Sequence, residues 1–274
     1  MPELPEVETV ARGVDKRARG SRIVSVWLGS KPEPFRSPPA EIAATLTGST
    51  IEGARRVGKH VVVDLVGKRK RRGQWIVHLG MTGRLLVLPP DAPIAAHTHA
   101  ILTLEDGREI RFVDPRRFGR LAVLDLPPAG AGFTGPGHEP LGIPFDEFRA
   151  LFRGRRTPIK SALLNQNLLH GVGNIYADES LFRAGIRPRR HAGRLTGREL
   201  ARLHEALQSV LREAIALGGS SVSDYVDADG ARGFFQLEHK VYLRTGEPCL
   251  VCGTPIRRIV LGGRGTHFCP QCQR

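Results

Sequence analysis

The start of the chain carries apolar residues at helical spacing. Positions i, i+3, i+4 and i+7 are occupied by Val7, Val10, Ala11 and Val14. This spacing predicts an amphipathic helix over residues 5–20, and Pro5 suits its first turn because a missing N–H costs little there. The positive end of the helix dipole would lie close to Pro2 and Glu3, where it favours a carboxylate and an uncharged amine.

Short β-rich runs follow at the spacing of an antiparallel sandwich. The runs are residues 22–28, 60–66, 75–79, 85–88, 100–104, 109–113 and 121–124. Asp106 and Gly107 lie between two of the runs and predict a hairpin turn. Residues 127–144 are dense in glycine and proline, which indicates a linker after the sandwich.

Helical spacing returns beyond this linker. One apolar face comprises Ile159, Leu163, Leu164 and Leu168, and a second comprises Leu200, Leu203, Leu207, Val210, Leu211 and Ala214. Thr196 and Glu199 predict a capping box at the start of the longer helix. Between the two faces, GVGN at 171–174 predicts two tight turns before a short helix over 175–184, with Asn174 as its N-cap.

Composition and charge narrow the choice of partner. The 274 residues suffice for two domains, and 41% hydrophobic content excludes a disordered protein. The formal net charge of +14 indicates a polyanionic partner. Nucleic acid is favoured over a membrane, since no apolar stretch approaches about 18 residues. The acidic, proline-rich start is unlike a secretory signal, so we expect a cytoplasmic, nucleoid-associated protein. We expect the basic run at 68–72 to be a solvated loop.

The four cysteines form two pairs near the end of the sequence. They are Cys249, Cys252, Cys269 and Cys272, in a C-x2-C, sixteen-residue, C-x2-C arrangement. This spacing predicts one zinc ion held by four thiolates rather than disulfides. Four protein ligands leave no open position for water or substrate, so the zinc would be structural. The loop between the pairs carries Arg264, the candidate for useful chemistry in this tail.

Two local features each support two interpretations. Pro2 could simply stiffen the tail; if Met1 is removed, it could instead present a secondary amine. A free α-amino group titrates near pH 7.7–8.0, so a useful fraction is uncharged at neutral pH and can attack a sugar carbon to form an iminium. The GVGN run could bind a phosphate at the following helix start, or it could be an ordinary connection between helices.

Five motifs together resemble bacterial formamidopyrimidine-DNA glycosylase. They are PELPEVET at 2–9, HLGMTG at 78–83, DPRRFG at 114–119, GVGNIYA at 171–177 and the four-cysteine finger. The motifs follow the family's order and span essentially the whole chain. The resemblance implies a bifunctional base excision repair enzyme that acts on double-stranded DNA. Such an enzyme excises 8-oxoguanine and formamidopyrimidines through a Schiff base at the N-terminal proline. It then acts as an apurinic/apyrimidinic lyase, cutting the strand on both sides by β,δ-elimination.

The resemblance also implies a fold. The class is α+β and multidomain, and we expect a monomer without membrane association. Residues 1–130 would form an N-terminal antiparallel β-sandwich with a flanking helix, which is the catalytic domain. Residues 131–234 would form a helix-two-turns-helix DNA-binding domain, and residues 235–274 a zinc-finger β-hairpin.

Catalytic roles carry over to four residues that match the motifs. Pro2 would be the nucleophile and Glu3 the general acid and base. Lys59 would contact phosphate and assist catalysis, although a lysine at a strand end is more often merely exposed. Arg264 would grip a phosphate beside the flipped nucleotide, and Asn174 would do the same from the second C-terminal motif.

Base extrusion leaves a gap in the DNA stack that side chains must fill. Met81, Arg116 and Phe118 match the family's inserted triad, with Arg116 facing the orphaned cytosine. Methionine and phenylalanine are more often core residues, so burial is the alternative for both. His78 is a candidate phosphate contact, or equally a structural histidine.

The segment 218–235 resembles the family's lesion-recognition loop, with Ser220, Ser221 and Tyr225 as candidates to surround the everted base. His60 stands where the family more often has tyrosine. Ser220 and Ser221 replace a pair that usually contains threonine. These departures bear on lesion preference and leave the reaction type unchanged.

Two rival functions remain. An enzyme like endonuclease VIII has the same architecture and prefers oxidised pyrimidines, but it typically begins Pro-Glu-Gly-Pro and lacks the Arg-Arg-Phe loop. Leu4, Arg116 and Phe118 therefore favour the purine enzyme. A non-catalytic zinc-containing DNA-binding protein would need neither Pro2 nor Glu3.

Overall fold

The computed structural model describes residues 1–67, 70–127, 130–222 and 225–274. Parts of the predicted solvated loop at 68–72, the linker at 127–144 and the lesion-recognition loop therefore lie outside the described residues. The chain forms two compact units. The first comprises residues 1–134 and 218–234, and the second comprises residues 135–217 and 235–274.

The described ranges contain the following α-helices and β-strands. The α-helices are α1 (Leu4–Ala18), α2 (Pro39–Leu46), α3 (Phe145–Phe152), α4 (Ile159–Leu163), α5 (Asn174–Ala184) and α6 (Gly197–Ala216). The strands are β1 (Ile23–Leu28), β2 (Thr50–Val57), β3 (His60–Val66), β4 (Arg72–His78), β5 (Arg84–Leu88), β6 (Thr98–Leu104), β7 (Glu109–Val113), β8 (Arg120–Leu126), β9 (Arg257–Leu261) and β10 (Arg264–Phe268). None of the described helices is long and apolar enough to cross a membrane.

The first unit contains two four-stranded antiparallel sheets, which confirms the predicted sandwich. Their strand orders are β1-β6-β7-β5 and β2-β3-β4-β8. Gly107 takes a positive φ of 86° in the turn between β6 and β7, as the predicted hairpin requires. One continuous apolar core includes α1 residues Val7, Val10 and Val14 together with inward-facing residues of both sheets. The apolar stripe seen in the sequence is therefore the face that α1 buries.

The segment 218–234 joins this core although it follows the helices of the second unit in the chain. Tyr225 and Ala228 are part of the apolar cluster, and their exposed fractions are 7% and 0%. This grouping differs from the expected division at residue 234, and the three-domain boundaries stay a prediction. The segment thus belongs to the β-sandwich unit.

Helices dominate the second unit, and the sequence predicted them unevenly. The capping box of Thr196 and Glu199 is present at the start of α6. The single helix expected to run from Ile159 to Leu168 is wrong, because α4 ends at Leu163 and Leu168 lies in the turns that follow. Leu168 is nevertheless buried, so its apolar character reports burial rather than helix. Helices α2 and α3 and strand β2 were not predicted.

The cysteine-rich end of the second unit is built around β9 and β10, which pair as an antiparallel hairpin. Glu179 of α5 holds the chain that leads into it, because its carboxylate accepts the N–H groups of Lys240, Val241 and Tyr242 at 2.9, 3.0 and 2.8 Å. Burial is the largest influence on Glu179 and raises the pKa of this carboxyl. These three hydrogen bonds from backbone N–H groups offset the free-energy cost of burying the Glu179 carboxylate.

Candidate functional site

The start of α1 holds the predicted nucleophile and acid. Pro2 and Glu3 immediately precede the first helical residue, and both are buried. Glu3 is the N-cap, and its backbone N–H donates to the Glu6 carboxylate at 2.7 Å in a capping box. Negative charge is favoured at this end of a helix. With Met1 attached, the Pro2 nitrogen is an amide, so nucleophilic attack requires removal of Met1.

Lys59 lies in the tight turn that joins β2 to β3. Gly58 before it has a φ of 58°, a conformation that glycine adopts at little cost. Lys59 is half-buried, and it acts electrostatically on His78 across the sheet. The alternative of a merely exposed strand-end lysine therefore does not describe its position.

His78 ends β4 and stands opposite His60 of β3, with ring centroids 4.9 Å apart. Burial first, and then the neighbouring charges of His60, Lys59 and Arg120, lower the pKa of His78 to about 4. Its Nδ1 accepts the N–H of Gly80 at 3.1 Å. His78 is thus uncharged at neutral pH, and any phosphate contact would use its Nε2–H as a neutral donor.

Two loops are joined through the buried carboxylate of Asp114. Its Oδ1 accepts the Thr82 hydroxyl at 2.5 Å, and its Oδ2 accepts the N–H of Gly119 at 2.7 Å. Gly80 permits this close approach, since a Cβ there would lie 2.5 Å from the backbone of Phe118 and Gly119. The loops that contain Met81 and the Arg-Arg-Phe motif are therefore fixed against each other.

The predicted triad is displayed on these two loops. Met81 and Phe118 are 38% and 48% exposed, which excludes the core role considered for each in this conformation. The guanidinium carbon of Arg116 lies 4.8 Å from the centroid of the Phe118 ring, in a cation–π contact. The backbone N–H of Arg116 donates to Thr82 and Asp114. The side chains of Met81, Arg116 and Phe118 thus extend from two loops that are fixed against each other.

The three loop candidates differ in accessibility. Ser220 is 5% exposed, and its N–H donates to Glu6 Oε1 at 2.8 Å. Ser221 Oγ donates to the carbonyl of Tyr225 and accepts the N–H of Gly233. Tyr225 is buried, its hydroxyl donates to the Glu6 carbonyl at 3.2 Å, and burial raises the pKa of its phenol. Tyr225 therefore anchors the loop in this conformation, and its place beside the extruded base stays a prediction.

Asn174 does not cap α5, contrary to the expectation. Gly173 is the N-cap, Asn174 is the first helical residue, and its Nδ2 donates to the carbonyl of Gly265 at 3.0 Å. That carbonyl also accepts from Lys160 Nζ at 2.9 Å. Asn174 is thus linked to the β9–β10 hairpin, whose strand β10 begins at Arg264. The structure places these two phosphate candidates, Asn174 and Arg264, next to one shared carbonyl.

A fully buried ion pair supports this hairpin. Lys160 Nζ lies 2.7 Å from Asp178 Oδ1, and both side chains are 0% exposed. Asp178 Oδ2 accepts the backbone N–H of His267 at 2.8 Å, and Lys160 also donates to the Thr266 hydroxyl. Sequence reasoning missed Lys160, Asp178 and Glu6. For Lys160, the only indication in the sequence was its position next to the apolar residues of a predicted helix face.

The four cysteine sulfurs converge at the end of the second unit. All four lie within 4.8 Å of one another. The Cys249–Cys272 and Cys252–Cys269 sulfur pairs are 3.9 and 3.5 Å apart. Tetrahedral coordination at 2.3 Å would separate sulfurs by about 3.8 Å, so the cluster fits one zinc ion. Four thiolates would leave no open position on the metal, so a zinc ion held here would be structural, as predicted.

The candidate residues fall into two groups, one in each compact unit. The first unit holds the catalytic and void-filling candidates, which are Pro2, Glu3, Lys59, His78, Met81, Arg116, Phe118, Ser220, Ser221 and Tyr225. The second unit holds Asn174, Arg264 and the four cysteines.

Three family descriptions match successive parts of the chain. Formamidopyrimidine-DNA glycosylase N-terminal domain matches residues 1–121, and Formamidopyrimidine-DNA glycosylase H2TH domain matches residues 137–226. Zinc finger found in FPG and IleRS matches residues 246–274.

Relatives and solved structures agree over the full length. The formamidopyrimidine-DNA glycosylases of Solibacter usitatus and Listeria monocytogenes are 46% and 42% identical, with 100% of each chain covered. A Lactococcus lactis FPG variant in complex with Fapy-dG DNA superimposes with a TM-score of 0.88 at 35% identity and 100% coverage of both chains. The MutM (FPG) protein of Thermus thermophilus gives 0.84 at 41% identity, covering 99% of this chain and 98% of that one. The chain belongs to the formamidopyrimidine-DNA glycosylase family, whose members are DNA glycosylases of base excision repair.

Proposed function

We propose that this protein excises 8-oxoguanine and formamidopyrimidines from double-stranded DNA and then cleaves the strand as an apurinic/apyrimidinic lyase. The observation that carries the proposal is the position of Pro2 and Glu3, directly before the first residue of α1 and linked through Glu6 to segment 218–234. A DNA-binding protein without catalysis has no need of a buried acid beside an N-terminal imino acid.

The chemistry begins with the amine that Pro2 presents once Met1 is removed. Its nitrogen attacks C1′ of the damaged nucleotide, a C–N bond forms, and the bond to the base breaks. The nitrogen loses its proton and the departing base gains one, so the nitrogen has a lone pair again. The sugar ring then opens as the lone pair of nitrogen forms an iminium, and Glu3 donates the proton that the ring oxygen takes up. The iminium acidifies the neighbouring sugar protons, which makes successive β- and δ-elimination of the two phosphates possible.

The remaining candidates support binding, and Lys59 would also assist catalysis. Met81, Arg116 and Phe118 would fill the gap left by the extruded nucleotide, with Arg116 donating to the orphaned cytosine. Lys59 and Arg264 would neutralise phosphates around that nucleotide, and the side-chain amide of Asn174 would donate a hydrogen bond to one. Ser220 and Ser221 would surround the base. The zinc ion, held by the four cysteines, would stabilise the hairpin that carries Arg264, and it takes no part in the reaction.

Borohydride trapping tests the proposal directly. The protein with a free Pro2 is incubated with a duplex containing 8-oxoguanine opposite cytosine, and borohydride reduces any imine to a stable adduct. We expect one covalent complex, together with strand cleavage in the absence of borohydride. Protein that retains Met1 or carries an acetylated N-terminus is the matched control and should give neither product. A Pro2→Gly protein is a weaker control, because glycine still offers a primary amine.

The same assay distinguishes the rivals. A preference for duplexes with an oxidised pyrimidine over those with 8-oxoguanine would indicate an enzyme like endonuclease VIII. This arm matters because one solved Lactococcus lactis FPG complex contains an oxidised pyrimidine. Specific binding without adduct or cleavage would indicate a non-catalytic DNA-binding protein. We also propose that the protein is cytoplasmic and nucleoid-associated, because its substrate is DNA. Imaging of a C-terminal fluorescent fusion checks this location.

A further inference from the structure

The described residues of segment 218–234 contact helix α1 at three levels. At the first level, Glu6 accepts from the N–H of Ser220 and from the hydroxyl of Tyr225. At the second, Ala228 lies against Gly13. At the third, the ion pair of Arg17 with Asp229 joins the two elements. A helix rises 1.5 Å per residue, so these contacts extend over about 16 Å of α1.

The contact between Gly13 and Ala228 leaves no room for a side chain. A Cβ added at Gly13 would lie 2.7 Å from the Cβ of Ala228. Ala228 cannot easily yield, because it is fully buried and its carbonyl accepts the N–H of Val87 at 3.0 Å. Glycine is otherwise a poor residue for the interior of a helix. Its presence here is explained by the close approach of the segment.

Arg17 joins three elements at the far end of the contact. Its Nη1 donates to the carbonyl of Val87 in β5 at 2.7 Å, and its guanidinium also forms the ion pair with Asp229. Val87 therefore binds α1 through its carbonyl and the segment through its N–H. The segment is fixed to the helix and to the sheet edge at the same point.

We propose that α1 is a template that sets the position of segment 218–234 relative to Pro2, with Gly13 and Arg17 as positioning residues that determine specificity for the damaged base. This inference rests on the proposed function, in which the segment surrounds the extruded base. One rigid helix carries the nucleophile at its start and the docking contacts along its body. An abasic site has no base to surround, so its cleavage needs the amine but not the segment.

The sharpest test is Gly13→Ala, which favours the helix but pushes against Ala228. We expect kcat/KM on 8-oxoguanine duplexes to fall about tenfold or more, since a displacement near 1 Å can have that effect. Cleavage of abasic-site duplexes should stay within about twofold of the original protein. Adding Ala228→Gly removes the opposing methyl group and should restore most of the lost excision. Thermal unfolding of each variant confirms that the fold is retained.

Arg17→Ala and Lys16→Ala form a matched pair. Each removes one positive charge from neighbouring positions of α1, and Lys16 is exposed. For Arg17→Ala we expect the loss on 8-oxoguanine duplexes to exceed that on abasic-site duplexes by about two- to fivefold, the range of a partly exposed ion pair. Lys16→Ala should change 8-oxoguanine and abasic-site cleavage alike, through DNA affinity.

Two results would overturn the template role. One is a Gly13→Ala protein that excises 8-oxoguanine as fast as the original. The other is an equal loss on both substrates that Ala228→Gly does not reverse. Failure of the unsubstituted protein on both substrates would count instead against the proposed function.

Discussion

Backbone groups place the candidate residues of the first unit, whereas a buried ion pair and a metal site place those of the second. In the first unit, Glu6 accepts the N–H groups of Glu3 and Ser220. In the second, Lys160 and Asp178 hold strand β10, which begins at Arg264, and four cysteines flank the β9–β10 hairpin. Hydrogen bonds to backbone donors do not depend on a bound ion. The two units should therefore respond differently to metal removal and to loss of charge.

Zinc removal should have the largest effect, and that effect should differ between the two units. Structural zinc contributes about 10–16 kcal/mol of apparent binding free energy in small domains, so chelation should unfold the β9–β10 hairpin. We expect specific DNA binding to be lost while β3 and β4 keep their amide protection. Hydrogen exchange with and without chelator measures both. Loss of protection throughout the first unit would contradict this separation, and re-addition of zinc is the control.

Breaking the buried ion pair should have the next largest effect. Lys160→Met leaves Asp178 buried without its cation, which should lower the free energy of unfolding of the second unit by about 3–5 kcal/mol. Adding Asp178→Asn should recover part of this loss, because the amide oxygen can still accept from His267. Denaturant unfolding gives the values. Arg198→Met, at an exposed position of α6, is the control and should change little.

Acid should destabilise both units through one histidine each. Burial is the main cause that lowers the pKa of His78 and of His239 to about 4. Since the unfolded histidine titrates near 6.5, the unfolded chain binds more protons between pH 6.5 and 4, and stability falls as pH drops through that window. We expect a loss of about 2 kcal/mol per histidine at pH 5. Denaturant unfolding at pH 7 and 5 measures it. If the stability of a His78→Asn protein depended on pH as that of the original protein does, His78 would not be a cause of the acid destabilisation.

The smallest expected effect compares the two capping boxes. Thr196→Ala removes the cap of α6 and should lower stability by about 1 kcal/mol, with no change in excision of 8-oxoguanine. Glu6→Gln weakens the box at α1 and should reduce excision as well, because its carboxylate also binds Ser220. Thermal unfolding and kcat/KM separate the two outcomes. Equal effects on stability and none on excision would remove the distinction between the units.

Local patterns predicted the elements whose side chains repeat regularly. Helix α1 buries the apolar face that its period predicts, and strand β3 is a run of mostly apolar residues, of which Val61, Val62, Val63 and Leu65 are buried. Strand β2 was not predicted, because charged residues and a glycine interrupt its alternation of apolar and polar residues. Two of those charges, Arg55 and Arg56, find partners in Asp64 and Glu8 elsewhere in the fold. A strand that satisfies its charges through tertiary contacts has no clear signature in the sequence.

Motifs predicted the candidate site residues but not the residues that hold them in place. The proposed roles of Pro2, Glu3 and Arg264 follow from short runs of sequence. Glu6 is 214 positions from Ser220, and Lys160 is 105 positions from Gly265. No period or spacing connects residues so far apart, and only the folded chain brings them into contact. The cap expected at Asn174 was wrong for the same reason, because its side chain binds a distant carbonyl.

The placement of Tyr225 and Ala228 in the core of the first unit has a consequence for biosynthesis. Residues 135–217 must leave the ribosome before these two side chains can reach the sandwich. At about 5–20 residues per second, that interval is on the order of ten seconds. During it, Val87 and the face of α1 at Gly13 lack their cover. The nascent chain is therefore expected to depend on chaperones at this stage, and the finished unit should appear only after translation passes residue 228.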